Sequence, residues 1–108
     1  MELTEAREIL ERIERSTHKV LARQLVQATV RYSGCRAEWD LADAAARAAL
    51  DPARTTAHDA FIDACNILSR AMAAIGEDNS WRRAIGLERG EIGDFACLLT
   101  CVVGLRAR

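Results

Sequence analysis

One proline in 108 residues, set against twenty alanines, is the feature that most constrains this chain. Alanine costs least in a helix, whereas strands favour β-branched and aromatic side chains. Only five residues are aromatic: Tyr32, Trp39, Phe61, Trp81 and Phe95. The length suits one core and leaves no room for a second. The expected fold is an all-α, single-domain bundle over residues 1–108, with four main helices plus a short fifth. The C-terminal helix is expected to be central and buried.

The periodicity places the elements. A first helix is expected from Thr4 to Tyr32, on a stripe of Leu3, Ala6, Leu10 and Ile13 that drifts to Leu21, Leu25, Ala28 and Tyr32. Such drift is what a straight helix does against a seven-residue repeat. The polar stretch Arg15–Lys19 is the place where it would break, folding the first segment back. Unbroken, it would outrun its neighbours and leave its apolar end for a second copy to cover. Ser33-Gly34 reads as its end, followed by a second helix from Ala37 to Leu50. Asp51-Pro52 reads as the cap and first position of a third, which continues to Ile75 and stops at Gly76. After the turn Glu77–Ser80 comes a short piece to Ile85, then a last helix from about Glu91 to Ala107. That helix carries no charge between Asp94 and Arg106, as a buried helix would. Its stripe Gly90, Gly93, Cys97, Cys101 and Gly104 is expected to pack closely on an alanine-rich neighbour.

Charge narrows the function classes. Fifteen basic against sixteen acidic side chains give a net charge of −1, so neither nucleic acid nor an anionic membrane is an expected partner. The longest uncharged run, Phe95 to Leu105, is too short to span a bilayer. The acidic start Met1-Glu2-Leu3-Thr4-Glu5 lacks an apolar leader, so a cytoplasmic location is expected. Fourteen of the fifteen basic residues are arginine, a skew that suggests a GC-rich bacterial genome. Charge is also uneven, with residues 37–80 at −5 and each flanking segment at +2, a distribution suited to self-association. Four cysteines, Cys35, Cys65, Cys97 and Cys101, form no zinc-type pair and read as small packing residues.

Three groups of residues are candidates for chemistry or binding. Asp59, Asp63, Asn66 and Arg70 share one helix face within about 60°. Two carboxylates at i,i+4 repel unless neutralised, so this ridge is either a ligand site or a solvated face. Trp81 and Arg82 belong to the residue types enriched where partners bind. Finally, His18, the doublet His58-Asp59, and Asp94 follow one another in an order that resembles the H…HD…D signature of the metal-dependent HD phosphohydrolases. That resemblance implies a divalent metal on His18, His58, Asp59 and Asp94, activating water on a phosphoester, with Asp63 nearby. The R-x5-H spacing from Arg12 to His18 loosely resembles the HEPN ribonucleases. The leading expectation is different: no cofactor, no catalysis, and a role through protein–protein contact, as a homo-oligomer or with a protein partner. The phosphohydrolase reading is the alternative.

Overall fold

A computed structural model describes residues 1–107. They form five helices and no strand: α1 Leu3–Arg15, α2 Lys19–Leu41, α3 Ala44–Ala74, α4 Trp81–Ile85 and α5 Arg89–Arg106. Four are long and one is a short turn-like helix, as the periodicity predicts. Among the described residues no helix is long and apolar enough to cross a membrane.

The first long stripe is cut at Ser16–His18, so the expected continuous helix is two helices. Glu77 holds the cut open. Its Oε1 accepts from Ser16 Oγ at 2.8 Å and its Oε2 from the Thr17 backbone N–H at 3.0 Å. Lys19 Nζ donates to the Glu14 carbonyl, one of the free acceptors at the end of α1. The fold-back buries Ala6, Ile9, Leu10 and Ile13 within this chain. The apolar end that a second copy was expected to cover is therefore already covered.

Two other boundaries move. Gly34 does not end a helix: α2 runs through it to Leu41. Nor does Asp51-Pro52 begin one, because Pro52 lies inside the 31-residue α3. The real cap is Asp43, whose carboxylate accepts from the Ala46 N–H at 2.9 Å. Arg47 closes the other side of this turn, donating to the last carbonyls of α2 at Trp39 and Asp40, each at 3.0 Å. A proline inside a helix removes one hydrogen bond and crowds the preceding turn. Here α3 is pinned on both sides of it, since the guanidinium groups of Arg47 and Arg54 lie 4.3 and 4.5 Å from the Trp39 ring centre.

Gly76 does close α3, at φ 76°, where a left-handed residue is needed. Glu88 and Glu91 form a reciprocal capping box at the start of α5. The core runs through the stack Tyr32–Phe61–Phe95, with centroids 5.8 and 6.1 Å apart, joining α2, α3 and α5. At the other end Trp81 is fully buried and its Nε1 donates to Met72 Sδ at 3.3 Å.

The inner side of α5 supplies Ile92, Phe95, Ala96, Leu99 and Val102 to the core. Its stripe of small residues points elsewhere: Gly90, Cys97, Cys101 and Gly104 are exposed, and only Gly93 is buried. What covers Gly93 is Arg36, whose guanidinium occupies the space a Cβ would need, not an alanine face. An absence of charge did not distinguish the two sides of this helix.

Candidate functional site

Of the ridge on α3, Asp59, Asp63 and Arg70 stand in solvent. Asn66 does not: its Oδ1 accepts from Arg82 Nε at 3.0 Å, and Arg82 also donates to the Gly86 carbonyl at 3.2 Å. Arg82 therefore ties α3 to the α4–α5 turn, while Trp81 beside it is a core side chain. Under them Cys65 is fully buried, and burial pushes its thiol up to about 12, leaving no thiolate at neutral pH. By contrast Cys97 and Cys101, expected as packing residues, are exposed thiols one turn apart on α5.

The four residues of the phosphohydrolase-like order are not brought together. His18 sits at the α1–α2 cut, its Nε2 hydrogen-bonded to the Ala71 carbonyl at 3.1 Å. Asp94 lies on the outer side of α5 beside Arg36. Only His58 and Asp59 meet, with Nδ1 3.1 Å from Oδ1. His58 packs edge-on to Tyr32, centroids 5.3 Å apart, and its Nε2 is buried without a hydrogen-bond partner. Among the described residues no three His, Cys, Asp or Glu side chains are placed to hold a metal ion. Arg12 and His18 likewise face different partners, Ser80 Oγ and the Ala71 carbonyl.

Concavities are shallow. One cleft of about 340 Å³ lies over the α1–α2 cut, lined by Arg12, Arg15, Ser16, Met72, Glu77 and Asp78. Its carboxylates are engaged. Glu77 lies below its ordinary range because the Thr17 N–H and the Ser16 hydroxyl stabilise its charge, and Asp78 likewise through the Ser80 N–H and hydroxyl. These groups hold turns together.

The most unusual surface is one that residue patterns did not mark. From Ser33 to Thr56 no residue is buried. The upper part of α2 and the first 13 residues of α3 form a two-helix arm about 20 Å long; its α2 side rests on the start of α5, where Arg36 covers Gly93, and its α3 side has no such support. Leu41 at its tip is 90% exposed. Seven exposed alanines, Ala37, Ala44, Ala45, Ala46, Ala48, Ala49 and Ala53, make much of its surface. Compared with known proteins, the chain matches no family model, no curated protein and no solved structure.

Proposed function

We propose that this chain acts through protein–protein contact, and that the arm formed by residues 33–56 is the element that makes it. The observation that carries this reading is the arm's lack of any buried residue. Helices in water draw most of their stability from packing an apolar face, and beyond its own narrow seam this pair rests on the globule through the α2 residues beside Gly93. A projecting hairpin with small side chains lets another helix approach closely, and Leu41 exposes a large apolar side chain at the tip. The ridge Asp59, Asp63 and Arg70 continues the same side of α3 below the arm.

The test is a photoreactive residue at position 41, in cells that naturally make the protein, beside a control at exposed Ala84 on the globular end. The reading expects a protein adduct from position 41 and none from position 84. Absence of any adduct from position 41, with the protein folded and abundant, would remove it.

A further inference from the structure

The outer face of α2 shows a pattern that its own chain leaves unused. Val20 and Leu41 stand at its two ends, with Gln24, Gln27, Arg31, Gly34 and Glu38 between them. The intervals are 4, 3, 4, 3, 4 and 3, so all seven share one helix face, polar in its middle and apolar at its two ends, and every one of them is exposed. Val20 is 61% and Leu41 90% exposed, both large apolar side chains in water.

Two further observations concern the same face. Gly34 lies inside the helix, where glycine is the most costly residue after proline. A Cβ built there meets nothing within 4 Å, so no contact within the chain requires a glycine. The charges of α2 also run against its dipole. Lys19 and Arg23 lie near its start and Glu38 and Asp40 near its end, with no acidic residue in the first turn and no basic residue in the last. Neither Arg23 nor Glu38 has an ion-pair partner among the described residues.

A second α2 laid antiparallel answers all three. We infer that α2 is the self-association face of this protein, pairing with α2 of a second copy about a two-fold axis near Arg31. The register that sets Val20 against Leu41 of the partner copy also sets Arg23 against its Glu38 and Gln27 against its Gly34. Each apolar end is then covered, Arg23 and Glu38 each meet an opposite charge, and Gly34 offers the partner helix a place of close approach. Antiparallel alignment also places each dipole end beside the opposite end of the other helix. The two Arg31 side chains near the axis repel, and a single-helix seam about 33 Å long is a small interface. The association is therefore weak and salt-sensitive. This inference rests on the contact reading above and names its partner.

Sedimentation of the full chain over a concentration series at low ionic strength tests it. The expected result is a monomer–dimer equilibrium. Arg23→Glu and Glu38→Arg should each weaken it about tenfold, since each reversal acts at two symmetric pairs, and together they should restore it. Arg31→Gln should tighten it. A chain monomeric at all concentrations, or a double variant no better than the single ones, overturns the inference. A monomeric chain whose position-41 probe still captures a different protein overturns this pairing and leaves the contact reading standing. A monomer with no adduct overturns both.

Discussion

Tyr32 and Trp39 lie seven residues apart on α2, two turns of one helix, and they are held by opposite means. Tyr32 stacks on Phe61, which stacks on Phe95, and edges His58; it is shut away from water. Trp39 is half-buried, and its ring is covered by Arg47 and Arg54. Below Tyr32, successive turns of α2 send Ala22, Leu25 and Thr29 inward, and α3 answers with Ala57, Phe61, Cys65, Leu68 and Met72. Above it the same two helices continue without a buried residue, joined by the Asp43 turn, the Arg47 hydrogen bonds to the last carbonyls of α2 and a pair of arginine stacks on Trp39. The helices cross the boundary unbroken, so helix continuity here is not a sign of burial. One region is held by area removed from water, the other by a few directional contacts that water reaches.

The contrast is sharpest under truncation. Phe61→Ala should cost about 3–5 kcal/mol, the range for emptying a well-packed aromatic site, and so a large part of the stability of a domain this size. Replacing residues 37–56 by a short turn should change the unfolding free energy of the globular end by only about 1 kcal/mol. Denaturant unfolding of both chains checks this, and a collapse of the shortened chain would mean that the arm is part of the core after all.

Acid should loosen the globular end through Glu77. Its carboxyl is held below the ordinary value by the Thr17 N–H and the Ser16 hydroxyl. A depressed carboxylate contributes stability above its unfolded value and loses it as the pH falls through the folded one. Melting temperature should therefore decline as the pH drops below the usual glutamate range, and Glu77→Gln should flatten that decline. An unaltered profile in the variant would assign the acid sensitivity to other carboxylates.

In the arm, Trp39→Ala removes two cation–ring contacts, each worth about 0.5–1 kcal/mol at an exposed site. Amide exchange should quicken across residues 37–56 while Leu25 and Leu68 keep their protection. Smaller still, Gly34→Ala should stabilise the dilute monomer by about 0.5–1 kcal/mol, because the new methyl group enters open space. The same change should weaken association, and a variant that both melts higher and associates as before would separate the glycine from the pairing.

Residue patterns carried the fold class, the stripe of α1, the stop at Gly76 and the turn before Trp81, because each rests on local chemistry. The boundaries of α2 and α3 were not legible for the same reason. Gly34 and Pro52 have the local preferences of a stop and a start, and both are overridden by packing: Tyr32 on one side of Gly34, and the Trp39–Arg47–Arg54 clamp around Pro52. The true turn, Ala42-Asp43, is hidden among alanines, with one aspartate as its only mark. Burial on α5 was legible by half. Cysteine and glycine are apolar enough to read as interior, yet all of the stripe except Gly93, which Arg36 of α2 covers, is exposed. Of the candidate ridge, the exposed carboxylates were legible, and the engagement of Asn66 by Arg82 required knowing where α4 returns.

The pairing of α1 with α5 has a consequence for how the chain comes into being. Arg106 donates to Glu14 at 2.6 Å across 92 residues of sequence, and α5 forms much of the surface on which α1 rests. During synthesis at roughly 5–20 residues per second, α1 waits on the order of 5–20 s for that surface to be made. Through this interval Ile9, Leu10 and Ile13 have no lasting cover, while the α2–α3 hairpin, whose contacts are nearer in sequence, can already form. Folding is thus completed only after α5 has been made, with α1 among the last helices to dock.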